Sequence, residues 1–575
     1  MHRGEQQSFS AWHLLAAAVL FLLALLPRWY SAQTLGWDWD SPGSFTLVNF
    51  DEAGSCRAAL EGFNYSPFLG FQTIAIASAL GHPPPVDVRG DERRVKAYCH
   101  SPEHLLVARS YSALLGALTV VAVVVLAAQL LPGSPGAALF AGALVAVSGF
   151  HISQSQSGTV DAASTFFIYA FIAALAWSLR SGRSLGLWLS VPLLVAAVWT
   201  KFWVFALFAY AAWLPAGAWR YLSAGWSAWR VALLPIALAT WLAALTNADF
   251  PQQLLVLPLA CYALVIPWTG VRRPLLLLWL LAPLALWALT QVDLIYKYTA
   301  GVQATNFGTG YADIGANKWL RNLVNVPAVL LLGLGIPACM LLPVGVLRLW
   351  RAARAGDARW RPWLALLPLA AFAVFMAFLA PVTYYRHYLP LIPAAALLIA
   401  AGAWAWPWRY RPLLLGAVLA WSAALAWDMV GDYHDDPRRE LRPWFAAHPG
   451  VGVFYTFYVN PPPGAQVALL RPEYARGDAS ALRQADYVIM SENWYDTAFA
   501  NELNGPLVGN LDRLVKTRPE YTLFYRQVLA GESPWLRPEA SFDLSHFMPE
   551  MLLHRALYGN FQLFVGDLKV FRVRK

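Results

Sequence analysis

Charge is what this chain has least of. Asp, Glu, Lys and Arg make up 13% of its 575 residues, about half of what a soluble domain carries, and 58% are hydrophobic. That excludes a soluble globular enzyme and places the chain among integral membrane proteins. Lysine is scarcer still, with 7 among the 42 basic residues; this reads as a genomic bias and carries no function. The net charge of +9 does not point to nucleic acid, because residues 1–427 hold 26 basic against 15 acidic side chains and residues 428–575 hold 16 against 18. The excess therefore belongs to the apolar part, where membrane-insertion rules account for it, and no nucleic-acid partner is expected. Cysteine is rare as well. Cys261 and Cys339 fall inside apolar runs and read as small apolar residues. Cys56 and Cys99 share one polar loop, where a bridge would stabilise by roughly 3–4 kcal/mol in the chain-entropy model. Two free thiols are the equal alternative, since sequence supplies no geometry. No small-residue cleavage site follows the first apolar run, which ends Leu26, Pro27, Arg28, Trp29, Tyr30, so the run is read as an uncleaved anchor.

What is present is a series of apolar runs. Those suited to spanning a bilayer fall near 11–27, 105–131, 136–150, 162–179, 184–200, 202–217, 231–246, 252–270, 274–290, 323–347, 363–380, 388–406 and 412–427. With a cytoplasmic N-terminus, the inner loops of this thirteen-span arrangement carry thirteen arginines, from Arg180 to Arg411, and one acid, Asp357. This is the asymmetry that the positive-inside rule requires. The expected architecture is an all-α polytopic membrane domain over 1–427, with a small α/β extracytoplasmic domain over 428–575. A bacterial inner membrane, with the C-terminal part periplasmic, is the expected location.

The outer side then receives the long connections, 28–104, 291–322 and the tail, and chemistry is expected there. In the first loop, 52–61 and 67–81 mix apolar and polar residues as interfacial helices do. Asp51 and Glu52 stand at its start as a carboxylate pair. Arg109, His151, Asp161, Lys201, Asp249, Arg386 and His387 fall at or near outer span ends. An ionisable residue at that depth is costly; each alone could be a snorkelling residue or a cap, but together they describe a shared polar cavity whose cations suit a phosphate. In 291–322, Asp293, Lys297 and Tyr298 precede a polar stretch and suggest a closing lid. In the tail, 451–459, 485–491 and 521–529 read as strands, and Gly566-Asp567 reads as a hairpin turn between 563–565 and 568–573.

Five segments stand in order along the chain: NFDEAGSCRAALEG at 49–62, LLVARSYSALLGALTVVAVVV at 105–125, ALVAVSGFHISQSQSGTVDAASTFF at 143–167, VWTKFWV at 198–204 and YYRHYLPLIPAAALLIAAGAW at 384–404. Together they resemble the GT-C superfamily of membrane glycosyltransferases, in the branch of the protein O-mannosyltransferases and the aminoarabinose transferase of lipid A. The resemblance covers about 45–427. After the acidic pair the loop reads GFNYSPFLGFQTIAIASALGHPPP, without the acceptor-loop signature of the aminoarabinose enzymes.

The resemblance implies an inverting glycosyltransferase. It would move a sugar from a polyprenyl-phosphate donor to a hydroxyl of a glycan, lipid or protein acceptor, beside membrane lipid. Asp51 would then be the general base and Glu52 its support. Arg109, Lys201 and Arg386 would bind the donor phosphate. His151, Asp161, Tyr384, Tyr385, His387 and Tyr388 would line the cavity, with belt aromatics the equal alternative for the tyrosines. A lone His and a lone Asp do not make a metal site, so no metal or cofactor is assigned, while a divalent cation stays open. A transporter or flippase of a lipid-linked sugar is the alternative; the absence of an internal repeat argues against it.

Overall fold

The structure is a computed structural model. It describes residues 11–35, 50–62, 66–88, 90–181, 184–201, 318–356, 362–363, 365–378, 385–456, 458–461, 466–470, 479–498, 519–558 and 566–575. The expected spans at 202–290, the lid residues Asp293, Lys297 and Tyr298, and Asp249 lie outside the described residues, as does Tyr384.

The chain begins with α1 (Ala11–Thr34), whose outward side exposes Trp12, Leu22 and Leu26 as a lipid-facing helix does. A 3-10 turn (Phe50–Ala53) carries Asp51 and Glu52 into α2 (Gly54–Glu61). Two further short helices, α3 (Phe68–Ala79) and α4 (Glu92–Cys99), complete the loop region, so helices form over the two segments that the sequence suggests. Asp91 starts α4 by accepting from Arg93 N and Arg94 N, at 3.0 and 3.2 Å. Cys56 on α2 and Cys99 on α4 are bridged, with their Cα atoms 5.7 Å apart.

The long α5 (Pro102–Leu130) follows, with Ser101 as its cap and proline in its first turn. The run read as one span at 136–150 is two helices, α6 (Pro135–Ala146) and α7 (Gly149–Ser155), bent by 60°. The break is stabilised from α1. Arg28, fully buried, donates to Val145 O and Ala146 O at 3.1 Å each and so caps the orphan carbonyls that end α6. Then come α8 (Val160–Ser181) and α9 (Ser184–Lys201).

A second difference concerns 323–347. The chain makes two helices there, α10 (Lys318–Leu334) and α11 (Ile336–Arg354), separated at Gly335. Gly335 has φ 82°, a left-handed conformation that only glycine adopts freely, and this stops the helix inside a continuous apolar run. After α12 (Leu367–Phe378) a 3-10 turn (Tyr385–Tyr388) leads into α13 (Leu391–Ala403) and α14 (Arg411–His434).

Five helices among the described residues are long and apolar enough to cross a membrane, or six if the bent α6–α7 pair is one span. The chain is an integral membrane protein.

Beyond α14 lie α15 (Leu441–Ala447), α16 (Glu492–Ala498), α17 (Pro519–Leu529) and α18 (Pro549–Tyr558). With them is a five-stranded mixed sheet of β1 (Gly452–Tyr455), β2 (Gln466–Leu469), β3 (Tyr487–Ser491), β4 (Leu536–Phe542) and β5 (Leu568–Val573), in the order β2-β1-β3-β5-β4. Side chains of β3 alternate between two apolar clusters: Val488 and Met490 join one, Tyr487 and Ile489 the other. The sheet is therefore covered on both faces.

One expectation fails here. The segment 521–529 lies in helix α17, not a strand; Leu523 is exposed while Tyr525 and Val528 are buried, a helical spacing that its β-prone residues disguise. The 563–565 arm of the expected 566–567 hairpin lies outside the described residues; β5 is paired on one edge with β3 and on the other with β4.

The bridge predicts a stability effect. It closes residues 43 apart in sequence, so a C56S/C99S variant should lose about 3–4 kcal/mol. Wild-type protein should show a lowered unfolding temperature in detergent when reductant is added. Identical unfolding with and without reductant would count against it.

Candidate active site

The ends of α1 and α9 and the beginnings of α5, α8 and α13 meet at one end of the helical bundle. Alternation of direction brings this about: each helix that starts here leaves its partner to end here. The turn Phe50–Ala53 lies across this end, and it presents Asp51 and Glu52 in opposite ways.

Glu52 faces inward. Its Oε1 accepts from Arg109 Nε at 2.7 Å and its Oε2 from Arg109 Nη2 at 2.8 Å, a bidentate pair with both side chains fully buried. Gly158 N adds a third bond to Oε1 at 3.1 Å. Arg109 Nη1 donates to Leu35 O at 2.5 Å, at the end of α1. Gly158 must be glycine for this approach, since a Cβ there would stand 2.8 Å from Ala108 Cβ. Sequence motifs supplied Glu52 and Arg109 as separate residues; Gly158 and the Leu35 carbonyl were not foreseen, and backbone donors leave no signal in residue type.

Asp51 faces the more open side. Its Oδ2 lies 2.6 Å from Arg386 Nη2; the Asp51 side chain is 19% exposed and that of Arg386 is nearly buried at 9%. Asp161, at the first turn of α8, pairs with Lys201 at the end of α9. The Asp161 side chain is buried at 2% exposure, whereas Lys201 is 28% exposed. Arg386 and His387 also lie within electrostatic reach of Asp161, so the two ion pairs form one cluster with Arg386 common to both. Burial of the His387 ring, reinforced by Lys201 and Arg386 and opposed by Asp161, holds its imidazole well below the usual histidine range. It is neutral at physiological pH.

His151 does not join this cluster. Its Nδ1 is 3.0 Å from Arg28 Nη2 and 3.3 Å from Ser155 Oγ, which places it at the α6–α7 break. Tyr385 and Tyr388 are fully buried, and Tyr385 packs edge-on against His554 of α18, with ring centroids 5.3 Å apart. Nothing in the sequence suggested that the C-terminal segment reaches the Arg386 turn. A further buried pair, Arg438 with Asp436, lies within electrostatic reach of Glu52, and Arg439 Nη2 donates to Thr34 O at 3.1 Å. Among the described residues no group of three or more His, Cys, Asp or Glu could hold a metal ion.

No protein-family model and no curated protein matches the chain. Among solved structures, it is similar to the archaeal oligosaccharyltransferase AglB from Archaeoglobus fulgidus in complex with an inhibitory peptide and a dolichol-phosphate. The identity is 14%, over 98% of this chain and 88% of that one, with a TM-score of 0.45. It is similar to the Archaeoglobus fulgidus oligosaccharyltransferase in the apo form at 13% identity, over 99% and 89% of the two chains, with a TM-score of 0.46.

Two outcomes follow from the site geometry. Glu52→Gln leaves Arg109 buried without its counter-charge and should cost about 3–5 kcal/mol; Gly158→Ala should also destabilise, by overpacking against Ala108. Thermal unfolding in detergent checks both, and wild-type stability in either would contradict the packing described. A second outcome concerns pH. Because the folded imidazole of His387 is held below its unfolded value of 6.5, the unfolded chain alone takes up this proton as pH falls below about 6.5. Its contribution to stability is present above that pH and is lost on acidification. His387→Gln should therefore flatten the fall in unfolding temperature between about pH 7 and 5.

Proposed function

We propose that the chain is an inverting glycosyltransferase that moves a sugar from a polyprenyl-phosphate donor to an acceptor hydroxyl at the outer face of the membrane. The observation that carries this reading is the convergence of Asp51–Arg386 and Asp161–Lys201 at one end of the helices, with Asp51 and Lys201 partly exposed beside the buried Arg386.

The chemistry is a single displacement. The acceptor oxygen attacks the anomeric carbon while Asp51 takes the hydroxyl proton. The bond between that carbon and the phosphate oxygen breaks, and the leaving phosphate takes up charge. Arg386 and Lys201 stabilise that charge, the first as a planar fork and the second as a compact ammonium. In the conformation described here both cations are held by carboxylates, so donor phosphate exchanges one set of anionic partners for another. Arg109 is assigned a different part. Its guanidinium is fully buried on Glu52, so it acts as a positioning residue that fixes the turn carrying Asp51. Asp161 holds Lys201, and the neutral ring of His387 adds polarity without adding charge. The membrane domain over 1–427 carries this chemistry, and 428–575 closes over it from the outer side.

The test is transfer from a panel of polyprenyl-phosphate sugars in reconstituted vesicles, with glycan, lipid and protein acceptors. Asp51→Asn should lower turnover by about 10²–10⁴-fold and leave donor binding intact, whereas Arg386→Ala should weaken donor binding. Wild-type turnover in D51N would remove Asp51 from the role of base. Failure of the wild type with every donor would move the reading to transport of a lipid-linked sugar.

A further inference from the structure

The outward face of α18 is apolar throughout. Its inward face carries Glu550, Met551 and His554, all buried. Met551 and the preceding Met548 belong to the same apolar core as the membrane helices, not to either cluster of the sheet. Glu550 Oε1 accepts from Ile336 N at 2.8 Å and from Trp421 Nε1 at 2.7 Å, joining α18 to the start of α11 and to α14. On the other side Leu552 and Leu553 are 51% and 53% exposed, with Phe547 just before the helix at 58%. Arg555, on the flank, is drawn to Glu492 and Asp567 at 2.9 and 2.6 Å, so its charge is held on the side of the sheet.

The attachment points fix a depth. Met548 N and Phe547 N donate to Asp428 Oδ2 at 2.7 and 3.2 Å. Asp428 lies about 25 Å along α14 from Arg411 and Trp421 about 15 Å, at 1.5 Å per residue. A hydrocarbon core is about 30 Å thick. Between the two attachment levels α14 exposes Trp427 at 77%, the amphipathic aromatic of a membrane boundary. The exposed side chains of α18 therefore lie at the level of α14 between Trp421 and Asp428, where Trp427 is also exposed.

We propose that α18 is embedded in the bilayer, in the leaflet remote from Arg411, with Leu552 and Leu553 against lipid acyl chains. It anchors the sheet to the membrane surface without spanning it, as an amphipathic helix does. This holds independently of the reaction proposed above.

The full-length protein, with Cys261 and Cys339 replaced by serine and the Cys56–Cys99 bridge kept, is labelled with an environment-sensitive fluorophore at L553C and separately at L552C. Each is reconstituted into phosphatidylcholine/phosphatidylglycerol vesicles with or without doxyl-labelled lipid. V346C on α11, 49% exposed on a candidate span, and E539C on an exposed stretch of β4 are the lipid and water references. Both α18 labels should be quenched by doxyl lipid as strongly as V346C, and severalfold more than E539C, with little quenching by aqueous iodide. Iodide quenching equal to that of E539C would overturn the proposal in favour of a water-facing helix. Protection from both quenchers would overturn it in favour of a protein partner, such as a second copy of the chain.

Discussion

One carboxylate and one guanidinium, both fully removed from water, hold the site end of this protein together. Burying Glu52 and Arg109 costs several kcal/mol per ion, and their attraction offsets this only where the remaining donors and acceptors are satisfied. Here the bidentate geometry, the Gly158 amide and the Leu35 carbonyl supply those bonds. The pair thereby ties the end of α1, the turn at 50–53, the body of α5 and the link before α8 into one unit. Asp51 is the next residue along the chain, so its position relative to Arg386 depends on a contact it does not itself make.

The sequence disclosed the participants better than their partnerships. Asp51, Glu52, Arg109, Asp161, Lys201 and Arg386 stand out because ionisable residues are rare beside apolar runs. Which acid meets which base was not legible, since the partners of the Glu52 pair are 57 residues apart in the chain and only helix packing brings them together. The cysteines show the same limit: the loop was readable, the bridge was not. Helix breaks were harder still. Hydropathy over 323–347 is continuous across Gly335, and one left-handed glycine leaves no mark on an average. Segment 521–529 misled in the other direction, because local β propensity yields to packing context.

Polar groups reinforce the apolar link between the helices and the C-terminal sheet. Asp428 caps the approach to α18, Glu550 serves two donors on two helices, and Arg439 reaches the Thr34 carbonyl at the end of α1. Each of these groups is matched by a partner from the other part of the chain. The two parts therefore cannot separate without leaving buried polar atoms unpaired, which makes their docking specific in a way that apolar contact alone would not.

The three acids Asp51, Glu52 and Asp161 face the three cations Arg109, Lys201 and Arg386, and with His387 neutral the formal charges sum to zero. A centre balanced in this way projects little field into water, so small soluble anions gain little by approaching it. An anion bound at Arg386 or Lys201 competes with the protein's own carboxylates. Selectivity then falls to whatever else the ligand brings, and a lipid tail already resident in the bilayer brings local concentration that a soluble ion cannot match.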